Sequence, residues 1–195
     1  MSKSPEAAKN ECLLREKFAL PNLDTQVSEG TGEAVSIADY FNTMLDQSMD
    51  WKVAEQVRND WGRKFILKGV MSVADARRAV EIGADAIMIS NHGGRQLDGS
   101  RAPFDQLPEI VDAVGGQIEI ICDGSVRRGT HALKALCAGA TAVSGGRLYL
   151  YALAAAGQGG VEQALAILKD EIERGMKLMG VTSVDQLTAD RLRRR

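Results

Sequence analysis

The sequence is poor in the residue types that mark several large classes of protein. Its 195 residues include three cysteines, at 12, 122 and 137. They form no CxxC pair, which excludes a disulfide framework and the familiar zinc-finger spacings. Histidines number only two, so a histidine-rich metal centre is excluded and no metal site is expected. Four prolines leave no room for a proline-rich linker or a polyproline ligand. No apolar run is long enough to span a bilayer, and the first residues, MSKSPEAAKNECLLREKF, contain no signal-peptide core. A cytoplasmic location is therefore expected. Net charge is also small: 24 basic against 26 acidic residues give −2, which argues against a nucleic-acid partner.

What is present is ordinary globular material, 45% hydrophobic and 26% charged, sufficient for one domain. The charge is unevenly placed. Residues 1–60 hold 6 basic and 11 acidic residues, a net of −5, so the remainder carries 18 and 15, a net of +3. An anionic ligand is thus expected in the later part of the chain. Residues 1–50 lack sustained periodicity and read as a long connection with one short helix around Ile37–Leu45. A first regular helix is expected over Trp51–Asp60.

Beyond it, four short apolar runs recur, at 65–67, 86–89, 118–122 and 141–143, each followed by an amphipathic stretch. Helices are expected over Val73–Ile82, Leu107–Val114, Gly129–Ala138 and Gly160–Met179. Ser72 is a suitable N-cap for the first of these, and Gly83 and Gly139 suit helix C-termini. Strands alternating with helices at this spacing predict a parallel sheet with helical crossovers, as in an α/β barrel. A closed eight-fold barrel needs about 250 residues, so four βα units is what this length accommodates. In such a fold the C-terminal strand ends face the active site.

Each run ends in residues suited to chemistry more than to packing. These are Lys68, the phrase Ser90-Asn91-His92-Gly93-Gly94-Arg95, the phrase Asp123-Gly124-Ser125-Val126-Arg127-Arg128, and Gly145-Gly146-Arg147. Imidazole serves as a general base near neutral pH, which makes His92 a candidate base. A guanidinium binds carboxylate bidentately, which suits Arg95 to an acid substrate. Glycine amides beside Arg127 and Arg147, each at the start of a helical stretch, form two candidate phosphate cradles. His131 falls inside a helical stretch and is read as a partly exposed helix residue. The last five residues, with Arg191, form a basic tail that is expected to be solvated.

The phrases LKG (67–69), SNHGGRQLDG (90–99), DGSVRRGT (123–130) and GGRLYLYALAAAGQGGV (145–161) resemble the C-terminal half of the FMN-dependent L-2-hydroxy acid dehydrogenases and oxidases. That family includes glycolate oxidase, flavocytochrome b2, mandelate dehydrogenase and bacterial respiratory L-lactate dehydrogenases, and the last are the most similar. The resemblance runs from about Trp51 to Leu187. It implies an α/β fold, namely strands 5 to 8 of a TIM (β/α)8 barrel, with FMN as cofactor and a small L-2-hydroxy acid, L-lactate foremost, as substrate. The implied organisation is a connection at 1–50, a half-barrel at 51–187 and a tail at 188–195.

By that resemblance Lys68 lies at the flavin pyrimidine edge, His92 accepts the substrate proton and Arg95 holds the substrate carboxylate. Ser90 and Asp123 bond the cofactor, while Gly124, Ser125, Arg127, Gly146 and Arg147 hold its phosphate. The sequence departs from the family pattern at Ser125, where a second glycine is usual, at Gly145 and Leu148, where an aliphatic residue and Pro are common, and at His131, where Asp is common. The family's first four strands have no counterpart in these motifs. A homo-oligomer or a complementary N-terminal half chain is the partner this implies. Peripheral contact with the inner face of the membrane is a further implication, and the electron acceptor stays open. The alternatives are a self-associating half-barrel that binds FMN or another phosphorylated ligand without turnover, or a fragment with no function.

Overall fold

The computed structural model describes residues 46–193, so the helix expected around Ile37–Leu45 lies outside the described residues. Residues from Asp50 onward form one compact unit. It begins with α1 (Trp51–Trp61), whose first turn is capped by Asp50. That carboxylate accepts from the Lys52 and Val53 amides at 2.9 and 3.0 Å. Gly62, left-handed at φ 60°, ends the helix. Four βα units follow: β1 (Ile66–Lys68) and α2 (Val73–Glu81), β2 (Ala86–Ile89) and α3 (Pro103–Val114), β3 (Glu119–Asp123) and α4 (Gly129–Cys137), β4 (Ala142–Ser144) and α5 (Gly146–Leu178).

The strands lie in the order β1-β2-β3-β4, all parallel. This is the half-barrel architecture expected from the sequence. Its register sorts the side chains by period two. Leu67, Ile87, Ile120, Cys122 and Val143 point to the helices, where Ile87, Ile89, Ile120 and Cys122 are wholly buried with Leu107, Ile110 and Val114 of α3. The opposite face carries Lys68 paired with Met88, and Asp123 paired with Ser144. Burying the apolar layer drives the fold, at roughly 1.5–3 kcal/mol for each large side chain. The polar residues at the strand ends are left on the face that builds the site.

Three strands sit one residue later than the apolar runs suggest, because Lys68, Asp123 and Ser144 continue the ladders although they are polar. Two helices start earlier than expected. Pro103 opens α3, a position where its missing N–H costs nothing. The last helix begins at Gly146, not Gly160, and is broken at Ala156 and Gly157, where the backbone leaves helical geometry (φ 58° and ψ −143° at Gly157).

Helix α4 has no side-chain cap of its own. Its N-terminus is closed instead by Glu171 of α5, which accepts from the Gly129 amide and from Arg128 Nε, each at 2.7 Å. The Arg128 guanidinium first, and then the Gly129 amide, hold the Glu171 carboxyl below its usual range. A carboxyl depressed in the folded state stabilises fully above its unfolded pKa, about 4.3, and loses that contribution as pH falls through the folded value. Thermal melts of Glu171→Gln should therefore show a lower Tm than the parent at pH 7. The two curves should converge as the pH is taken below about 4.

Candidate active site

Helix and strand geometry bring the chemistry-bearing strand ends together. A cavity of about 370 Å³ opens at the C-terminal edge of the sheet, lined by Lys68, Met88, His92, Arg95, Asp123, Gly124, Ser125, Arg127, Ser144, Gly146 and Arg147 among others. Every residue given a catalytic or binding role from the sequence lines it except Ser90, which is buried behind it. Ser90 is the joint between two strands. Its hydroxyl donates to Asp123 Oδ2 at 2.5 Å and accepts from the His92 amide at 3.2 Å. One buried oxygen thereby fixes the end of β3 against the loop that carries His92.

His92 occupies left-handed backbone space at φ 55°, which is uncommon for a residue with a Cβ and is a form of strain found at functional sites. The Asn91 carboxamide accepts from the Gly93 amide at 3.0 Å and holds the turn. Arg147 reaches across from the start of α5, its guanidinium donating to the Gly93 carbonyl at 3.5 Å. A Cβ at Gly93 would meet that guanidinium at 2.8 Å and make it shift, and the left-handed φ of 69° there favours glycine. Lys68 Nζ lies 3.3 Å from His92 Nδ1. An ammonium only donates, so Nδ1 accepts here and the neutral ring carries its proton on Nε2.

The other half of the cavity is suited to an anion. Lys68, Arg95, Arg127 and Arg147 face it against one carboxylate, Asp123. The N-terminus of α5 adds its free amides, and nothing stands within 4 Å of where a Cβ of Gly146 would be. The chain turns back under this space at Gly124 (φ 131°) and at Ser125 (φ 57°). Serine in that conformation costs roughly 1–2 kcal/mol. Part of that cost is offset because glycine would lose more chain entropy on folding. Ser125→Gly should therefore raise the unfolding free energy by up to about 1 kcal/mol, measured by urea denaturation.

Sequence reading missed several features of this site. Met88 and Ser144 line the cavity because each shares a sheet face with an expected residue, a relation that period two could have supplied. The Ser90–Asp123 bond joins residues 33 apart and has no local signal. Cys122 packs directly beneath. Burial, and then the neighbouring Asp123, push its thiol up to about 11, which removes it as a nucleophile near neutral pH. Among the described residues no group of three or more His, Cys, Asp or Glu side chains could hold a metal ion. Among them, too, no helix is long and apolar enough to cross a membrane.

The family model for FMN-dependent dehydrogenases matches residues 3–194. The chain belongs to that family. The match reaches back well beyond Trp51, where the recognisable motifs begin. Among curated family members, L-lactate dehydrogenase of Alcaligenes faecalis is 42% identical over 169 residues, covering 85% of this chain and 45% of the relative. L-lactate dehydrogenase (cytochrome) of Saccharomyces cerevisiae is 41% identical over 179 residues, covering 89% and 29%. Of solved structures, a flavocytochrome b2 variant with sulfite bound matches at a TM-score of 0.73 and 45% identity, over 75% of this chain and 39% of that one. A mandelate oxidase variant carrying an FMN monooxide adduct matches at 0.68 and 48%, over 70% and 44%. The chain thus spans less than half the length of these relatives, and its four parallel βα units are a part of their barrel.

Proposed function

We propose that this chain carries the catalytic half of an FMN-dependent L-2-hydroxy acid dehydrogenase, with L-lactate as the preferred substrate and the 2-oxo acid as product. The observation that supports this most strongly is the convergence of Lys68, His92 and Arg95 with a cation-rich phosphate pocket on one cavity at the strand C-termini. The residues present fit FMN. Its phosphate would be held by Gly124, Ser125, Arg127, Gly146 and Arg147, where amides, guanidinium groups and a helix N-terminus face open space. Asp123, fixed by Ser90, would bond the ribityl chain, and Lys68 would stand at the pyrimidine edge.

When bound, FMN accepts the two electrons that leave the substrate. The protein supplies orientation and proton handling. Arg95 clamps the carboxylate, which presents the hydroxyl-bearing carbon to the cavity. His92 takes up one of the two protons lost as the hydroxy acid becomes an oxo acid. The further βα units that complete the relatives' barrels would join this sheet through the edges of β1 and β4.

A second reading, binding without turnover, is favoured by one contact. With Lys68 donating to Nδ1, the neutral His92 ring has its proton on Nε2, so no free nitrogen is left to act as a base while that contact persists. Anaerobic addition of L-lactate to the FMN-loaded chain separates the two readings. Bleaching of the flavin absorbance supports the dehydrogenase. FMN binding with no bleaching supports the binding module. Absence of FMN binding would sink both.

A further inference from the structure

We infer that His131 is a positioning residue for the phosphate loop, acting through a single ring nitrogen shared by two backbone groups that it cannot serve at once. This rests on the flavin-phosphate reading above. His131 is the third residue of α4, and its ring folds back over the loop that precedes the helix. Nδ1 lies 3.3 Å from the Arg127 amide nitrogen and 3.0 Å from the Ser125 carbonyl oxygen. The first is a donor and the second an acceptor, so the two contacts demand opposite states of the same nitrogen.

With Nδ1 bare, the ring accepts the Arg127 N–H, and its lone pair is set against the Ser125 carbonyl. With Nδ1 protonated, the ring donates to Ser125, the residue held in left-handed space at φ 57°, and the Arg127 amide loses its partner. The doubly protonated ring makes the stronger, charge-assisted bond to Ser125. It also places a positive charge beside the loop. Both effects favour a bound phosphate monoester, so protonation of His131 and phosphate binding should reinforce each other, by linkage in both directions.

The surroundings leave that nitrogen to these two partners. His131 lines a second cavity of about 270 Å³ that shares Gly124, Ser125 and Val126 with the flavin site. There Cys122 of β3 and Lys134, one turn further along α4, are the other titratable groups, with Phe104 from α3. Arg127 and Arg128 lie on the loop, and Asp123 ends the strand before it. From α5, Glu171 is engaged by Arg128 and the Gly129 amide. Asp190 and Arg191 act on the far end of α4, at Cys137. Imidazole is the side chain whose reference pKa, about 6.5, falls within the physiological range.

Quenching of FMN fluorescence, titrated from pH 8 to 5.5 in the parent chain and in His131→Asn, tests the inference. The carboxamide keeps one donor and one acceptor but does not titrate. The phosphate's own second ionisation, near pH 6, contributes equally to both proteins and cancels in the comparison. The parent should gain roughly fivefold more affinity than His131→Asn over this range, and His131→Asp, locked as an acceptor, should bind less tightly than either at pH 5.5. In the ligand-free protein, the Arg127 amide resonance should titrate together with the His131 ring, and should cease to do so in His131→Asn. Parallel FMN profiles in parent and Asn variant, or an Arg127 amide insensitive to pH, would overturn the inference. Failure of both proteins to bind FMN at any pH would overturn the flavin reading instead, and the Arg127 titration would then decide the fate of the His131 tie.

Discussion

In the FMN-loaded chain, His92→Asn should reduce lactate-dependent flavin bleaching by at least about a hundredfold while leaving the FMN dissociation constant within about threefold of the parent value. Asparagine is the informative replacement because His92 sits at φ 55°, and Asn tolerates left-handed backbone better than Ala does. The His92 amide can still donate to Ser90, so the joint between β2 and β3 survives. What is removed is the imidazole alone, and proton transfer by a positioned side chain contributes typically 10²–10⁴-fold. The Lys68–His92 contact adds a second arm. Lys68→Met removes the ammonium that donates to Nδ1, so the ring is then no longer held with its proton on Nε2 and the rate of any bleaching should change. Bleaching in His92→Asn at the parent rate would remove His92 as the base. Stopped-flow absorbance under anaerobic conditions provides the measurement.

Gly129→Ala should be strongly destabilising, at roughly 2–3 kcal/mol in urea denaturation. A Cβ at Gly129 would fall 2.5 Å from Glu171 Cβ and 2.6 Å from backbone atoms at positions 171 and 172. Backbone on both sides leaves nothing flexible to yield, so α4 and α5 must separate. Separation also breaks the Glu171 bonds to the Gly129 amide and to Arg128, which close the N-terminus of α4. The phosphate loop leads directly into that helix, so FMN affinity should fall along with stability. Gly146→Ala offers the contrast. A Cβ there meets nothing within 4 Å, so the fold should be unaffected and any loss should appear in phosphate binding alone.

Legibility in the sequence followed the range of the forces involved. Strands β1 to β4 were visible as apolar runs because their buried face must be apolar. The last residues of three of them, Lys68, Asp123 and Ser144, fall outside the apolar runs because they face the cavity and not the core. Period two, counted back from Lys68 along each ladder, would have recovered them. The glycines at 157, 159 and 160 read as a helix boundary, since glycine is a poor helix former. The helix instead runs through them, with its break confined to Ala156 and Gly157. The candidate site residues are legible because the phrases around His92 and Asp123 are local. The bonds that arm them are not. Ser90 with Asp123, Lys68 with His92, and Arg147 with Gly93 are made across the sheet edge, and no local pattern encodes a partner 24 to 54 positions away.

The break in α5 has a consequence of its own. Residues 146–155 end in the anion pocket and carry Tyr149, Leu150, Tyr151 and Leu153 on their surface. Residues beyond 157 grip α4, through Glu171 and through Gly175, where the side chain of Leu133 leaves no room for a Cβ. A rigid rod would convey any shift of that grip straight to the pocket. A rod jointed at Gly157 conveys it less directly, and the packing of α4 on β4 and the loop before Gly129 remain as routes to the pocket. One helix thus serves two tasks with two segments, the first bordering the cavity and the second gripping α4, and Gly157 is where they part.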